Sequence, residues 1–240
     1  MTFKTTLPSA REMWEGFLHL LYPELCVACG KDLPASGGCF CLSCQLKIAP
    51  ADMYRSAENE FTNRFWGRMD IAGGAAMYFF SRKSPVQRAL HQLKYHNKPE
   101  IGIKIGREFG RKLRTSEVFS QVDAIVPVPL HPRKERLRGY NQSAMFAKGL
   151  SETMDIPILY KALAREAFTE TQTRKKRMER FRNVEEVFVV RHPASLTGKH
   201  LLLVDDVLTT GATLETCGQT LLALPGTRLS LATIAMALND

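Results

Sequence analysis

The sequence has no apolar run long enough to cross a bilayer, and its first residues do not follow the basic, apolar, small-residue order of a secretory leader. Both absences point to a chain without membrane insertion, with the cytoplasm as the expected compartment. No Gly-Lys-Ser or Gly-Lys-Thr step occurs, which excludes the phosphate loop of nucleoside triphosphatases. Cysteine is scarce outside one stretch: five of the six fall within Cys26–Cys44, and in a reducing compartment such clustering argues for metal before disulfides. Acids are outnumbered, 24 against 33 Lys and Arg, for a net charge of +9. The deficit is local, because residues 82–182 hold 23 Lys and Arg against 10 Asp and Glu while the flanking parts are slightly acidic. An electropositive middle suits nucleic acid or a polyphosphate, and it equally suits a solubilising surface. At 240 residues the chain can hold one good-sized core with a small appendage.

What is present centres on Leu201–Thr213. Leu201–Val204 are four apolar residues in a row, the mark of a strand buried on both faces, and Leu214, Cys217, Leu221 and Leu222 follow at helical spacing. Asp205 and Asp206 therefore stand at the carboxyl end of a central strand, where α/β sheets bind ligands. Leu208, Thr209, Thr210, Gly211, Ala212 and Thr213 then lead into a helix N-terminus. Its unpaired N–H groups and dipole attract a phosphate, Gly211 permits close backbone approach, and the threonines add hydroxyls. Two acids beside a phosphate cradle suit a ligand with hydroxyls next to a phosphate, such as a ribose 5-phosphate. Without a ligand the stretch would be a Thr-capped helix after a buried strand, which leaves the paired carboxylates unexplained.

Upstream, Arg11–Leu21 places Trp14, Phe17, Leu18 and Leu21 on one helical face, and Pro23 stops it. Cys26-x2-Cys29 and Cys41-x2-Cys44 follow, two knuckles that together complete a closed, tetrahedral, structural zinc site. Cys39 could replace Cys41 in a looser pairing, although the tighter spacing favours Cys41. Residues 45–70 are poorly periodic, and the expected division is 1–50 helix plus four-cysteine zinc-finger module, 51–70 linker or cap, and 71–240 main domain. Ala75–Phe80 reads as the first strand, with helices around Val86–Leu93 and Ile101–Leu113 divided by Pro99. Lys94-Tyr95 ends the first helix, as solvated last turn or as ligand contact. Asp123–Leu130 is the next strand, and Pro127 and Pro129 end its pairing. His131–Gln142 is a basic loop opening a helix, and His131 by itself reads as structural. Arg174–Arg182 form a second basic run without an apolar stripe, which predicts a mobile segment. Val187–Val190 is expected to re-enter the sheet, and Arg228–Leu238 to be the last strand.

Leu201–Thr213 resembles the signature of type I phosphoribosyltransferases: four apolar residues, two acids, two apolar residues, then Thr-Thr-Gly-Ala-Thr. The double Cys-x2-Cys, Leu93-Lys94-Tyr95, Pro127-Val128-Pro129, Arg138–Gln142, and Thr171-Gln172-Thr173 with Glu179-Arg180 and Asn183-Val184 are together similar to the ComF/GntX competence-associated branch, from Leu20 to the C-terminus apart from residues 45–70. Cys39 departs from the pattern. The resemblance implies a type I phosphoribosyltransferase fold, α/β with a mainly parallel central sheet, and a small zinc-ribbon-like N-terminal module. It implies that phosphoribosyl pyrophosphate (PRPP) binds with Mg(2+) at Asp205–Thr213, that Val128, Pro129, Leu130 and His131 hold its diphosphate, and that structural Zn(2+) is held by Cys26, Cys29, Cys41 and Cys44. It also implies a role in handling incoming single-stranded DNA beside a ComFA-type helicase.

Arg133, Arg136, Arg138, Lys175, Lys176 and Arg177 are the candidate contacts for the diphosphate or nucleic acid, with Tyr140 and Phe168 as stacking surfaces. Three readings follow. One is a PRPP-binding, single-stranded-DNA-binding protein of DNA uptake. Another is an active phosphoribosyltransferase of nucleotide metabolism, with Asp205 and Asp206 as catalytic residues and an unidentified nitrogen acceptor. The third is a zinc-dependent scaffold for a helicase.

Overall fold

A computed structural model describes residues 23–34, 38–166 and 187–238, together with Ser9 and Trp14. The expected N-terminal helix, Trp14 excepted, and the basic run 174–182 with Phe168 lie outside the described residues. The strands are β1 Gly73–Phe80, β2 Ala124–Pro127, β3 Leu163–Glu166, β4 Val187–Val190, β5 His200–Leu208 and β6 Arg228–Ala237. The helices are α1 Leu42–Gln45, α2 Glu60–Asn63, α3 Pro85–Tyr95, α4 Pro99–Leu113, α5 Pro132–Arg138, α6 Gln142–Met154 and α7 Ala212–Leu222.

Four strands form a parallel sheet in the order β1-β6-β5-β2. Leu201–Val204 are fully buried, as a strand flanked on both sides and covered on both faces requires. Both edges are covered by short segments. Ala51 N–H donates to Met77 O (3.2 Å) and Phe79 N–H to Ala49 O (3.1 Å) along β1, while Ile125 N–H donates to Pro157 O (2.9 Å) and Leu159 N–H to Ile125 O (2.8 Å) along β2.

Val187–Val190 does not re-enter this sheet. With the β2 edge occupied by residues 157–159, β4 pairs antiparallel with β3 in a separate two-stranded sheet. The expected basic loop after His131 is the short helix α5: Pro132 at its first turn and His131 as N-cap start it, and Gly139 at φ 81° ends it.

Helix α6 is set by glycine. A Cβ on Gly106 of α4 would lie 2.4 Å from Phe146 O, and one on Gly149 of α6 would lie 2.1 Å from Ile103 O, so the two helices pack backbone to backbone. Asn141 caps α6 by accepting from Ser143 N–H (3.0 Å) and donates through Nδ2 to Val128 O (2.9 Å), which ties the start of α6 to the end of β2. Residues 51–70, expected as linker or cap, pack down through Phe61 and Phe65, both fully buried. Asn59 forms a capping box with Thr62 there.

Candidate functional site

Because β2 and β5 are parallel neighbours, the turn at Val128–His131 and the acids Asp205 and Asp206 emerge at the same sheet edge, with Val128 N–H bonded to Val204 O at 2.9 Å. Ser143 Oγ donates to Asp205 Oδ1 (2.7 Å), and the N–H of Asp206 donates to the same oxygen (2.8 Å). Lys94 Nζ reaches Asp206 Oδ2 at 2.9 Å. The Asp205 carboxyl is raised to about 7, first by burial and then by the Asp206 charge, with the two hydrogen bonds and Lys94 opposing. Lys94, which the sequence left between solvated turn and ligand contact, belongs to the site. Ser143 and its bond to Asp205 were not anticipated.

Beyond the acids, Gly211 adopts φ 82° and caps α7, turning the chain so that Thr209–Leu214 line a cavity of about 40 Å³ together with Asp205 and Val207. The loop is braced from outside by two arginines one helical turn apart. Arg64 donates to Thr209 O (3.4 Å) and Ala237 O (2.8 Å), and Arg68 donates to Thr210 O (3.2 Å) and pairs with Glu215. With these carbonyls bound on the outside, the N–H groups at the α7 N-terminus remain as the loop's backbone donors, Ala212 N–H making only a long bond to Thr210 Oγ1 (3.4 Å). Phe65 lies beneath, 3.1 Å from where a Cβ on Gly211 would stand. The i, i+4 repeats Phe61/Phe65 and Arg64/Arg68 were the available signal for this brace.

The remaining predicted contacts spread along α5. Arg133 and Arg136 are exposed, and Arg138 lies over the Tyr95 ring at 5.3 Å from its centroid. His131 accepts from Arg133 N–H through Nδ1 (3.2 Å), the structural role of an N-cap. Tyr140 is not an open stacking surface: it is half-buried and its hydroxyl donates to Leu93 O. Lys175, Lys176 and Arg177 lie outside the described residues.

The sulfurs of Cys26, Cys29, Cys41 and Cys44 lie within 4.8 Å of one another, with Cys29 and Cys41 at 3.6 Å. Four thiolates around a tetrahedral zinc stand roughly 3.8 Å apart, from Zn–S bonds of ~2.3 Å, so the cluster fits such an ion. The crowded thiols diverge: a hydrogen bond from Ser43 holds Cys41 down at about 6, while burial pushes Cys44 up to about 12. Cys39 stands outside the cluster. It is buried, its N–H donates to Glu108 (3.4 Å), and burial with the Glu108 charge drives its thiol far up, so the four-sulfur cluster is made with Cys41 and without Cys39. A larger cavity of about 300 Å³ between this module and α4 includes neither Asp205 nor the Thr209–Thr213 loop.

The phosphoribosyl transferase domain family matches residues 140–237, the span from the start of α6 through β6. Competence protein F of Haemophilus influenzae is 27% identical over 204 residues, covering 83% of this chain and 85% of that protein. Competence protein ComFC of Bacillus subtilis is 26% identical over 212 residues, covering 85% and 81%. Together these matches support a phosphoribosyltransferase-like protein of the ComF family. The chain is also similar to DNA utilization protein YhgH of Escherichia coli, 34% identical over 141 residues, a match covering 58% of this chain and 61% of that protein, so this chain spans less than two thirds of YhgH. The cysteine module precedes the matched phosphoribosyl transferase domain, and no helix among the described residues is long and apolar enough to cross a membrane.

Proposed function

We propose that this ComF-family protein binds PRPP with magnesium at Asp205–Thr213 and single-stranded DNA along its basic middle, in the uptake and use of DNA. The observation that carries the ligand reading is the pair of acids on β5 directly before a loop whose carbonyls are held outward by Arg64 and Arg68. The carboxylates would accept from the ribose hydroxyls, the N–H groups of Thr209–Thr213 would receive the 5-phosphate, and the turn Val128–His131 would hold the diphosphate, whose charge a bound magnesium would help to neutralise. Lys94 then neutralises charge at the acid pair. The names of the relatives, competence protein and DNA utilization protein, support the biological setting.

Calorimetric titration with Mg–PRPP tests the first half. The wild-type chain should bind, and Asp205→Ala with Asp206→Ala should lose about 1.5–3 kcal/mol for each charged hydrogen bond removed; equal affinity in the double variant would refute the assignment. Pyrophosphate release with a panel of nitrogen acceptors then decides whether binding extends to transfer. Single-strand affinity should fall steeply with salt through counterion release, and charge reversal at Lys175, Lys176 and Arg177 should flatten that slope.

A further inference from the structure

The last turn of α3 presents a group of flat side chains that the PRPP site does not use. Tyr95 is 64% exposed, large for an aromatic residue on a helix packed against a core. The His91 ring lies 4.9 Å from the Tyr95 ring and 5.2 Å from that of His96, and both histidines are exposed. The Arg138 guanidinium covers part of Tyr95 at 5.3 Å. Three exposed rings and a guanidinium linked in a row, His96 to His91 to Tyr95 to Arg138, have the composition of a surface on which unpaired bases stack.

Its place in the molecule adds two arguments. The preceding residue, Lys94, is the one that reaches Asp206, and Leu93 O receives the Tyr140 hydroxyl, so this turn is anchored between the acid pair and the start of α6. Arg138 closes α5, whose exposed face also carries Arg133, Lys134 and Arg136 against a single acid, Glu135. Cations that hold phosphates therefore stand beside rings that hold bases, and the face is open, as a continuous strand requires.

We propose that Tyr95, supported by His91, His96 and Arg138, is a platform on which an unpaired base of single-stranded nucleic acid stacks while the α5 cations hold its phosphates. This rests on the nucleic-acid reading above and adds to it a particular surface. The test is fluorescence anisotropy of the full chain with two labelled strands of equal length, an oligothymidylate and its abasic counterpart, which share phosphates and differ in bases. Wild type should prefer the oligothymidylate. Tyr95→Ala should weaken oligothymidylate binding about tenfold, in the range of one lost base stack, leave the abasic strand and Mg–PRPP titrations unchanged, and melt at the wild-type temperature. Tyr95→Trp should restore the preference. Equal weakening of both strands, or of neither, overturns the platform while leaving strand binding intact. Failure of wild type to bind either strand removes the nucleic-acid reading itself.

Discussion

Asp205 is held in two conflicting conditions: buried beside another carboxylate, yet hydrogen-bonded by Ser143 and a backbone N–H as an anion would be. Its ordinary value is 3.8 and its folded value about 7, so with rising pH the unfolded chain releases this proton first. Folding stability contributed by the protonated acid is present below about pH 4 and lost as pH rises towards about 7. Urea unfolding across that interval should show the loss in wild type and a shallower one in Asp205→Asn; parallel profiles would mean that Asp205 ionises as it does in the unfolded chain. Gly211 gives a second expectation at this scale. Alanine there must hold φ 82° and press a methyl group against Phe65, which costs about 1–3 kcal/mol of stability, read as a lower Tm, and should weaken the proposed Mg–PRPP binding by re-aiming the loop's N–H groups.

Among elements, α6 determines whether the acid pair is completed, because it brings Ser143 to Asp205 and its cap fixes Val128. Its height is set by contact with α4 at Gly106 and Gly149. Gly106→Ala meets backbone at 2.4 Å and should destabilise the fold and lower Mg–PRPP affinity, whereas Gly102→Ala, whose nearest neighbour is the Met145 side chain at 3.0 Å, should do less of both. Denaturation and calorimetry on the two variants check this, and equal affinities in both would detach α6 from the site.

The same elements show what a sequence discloses. Strand, acids, loop and helix at Leu201–Thr213 are contiguous and follow one hydrophobic pattern, and each Cys-x2-Cys pair is local, so both were legible. Ser143 lies 62 residues from Asp205 and Arg64 lies 145 from Thr209, so only packing brings them together. The pairing of β4 with β3 was hidden for another reason: a short apolar run identifies a strand without naming its neighbour, and the expected sheet edge had been taken by residues 157–159.

Across the whole molecule, the cysteine module and the candidate ligand site share one helix. Arg88 Nε donates to Ala28 O (3.3 Å) and Gln92 Nε2 to Val27 O (3.0 Å), both from α3 to the first knuckle, and Phe40 meets Tyr78 of β1 edge to face at 5.5 Å. Towards its C-terminal end, the same helix offers Lys94 to Asp206. The purified protein should carry one zinc, and Cys29→Ser with Cys44→Ser should abolish it, because two ligands cannot close a tetrahedral site. Loss of metal should loosen residues 23–34 and 38–50 while the parallel sheet persists, because its inner strands β5 and β6 are buried between neighbouring strands. The released knuckle then frees Arg88 and Gln92, so amide exchange should rise along α3 as well as in the module, and Mg–PRPP affinity should fall by a modest factor, since Lys94 loses support without being removed. Elemental analysis, hydrogen exchange resolved by peptide and calorimetry on the double variant measure the three effects. Zinc loss with unchanged exchange in Pro85–Tyr95 would show that the module and the site are independent despite their contact.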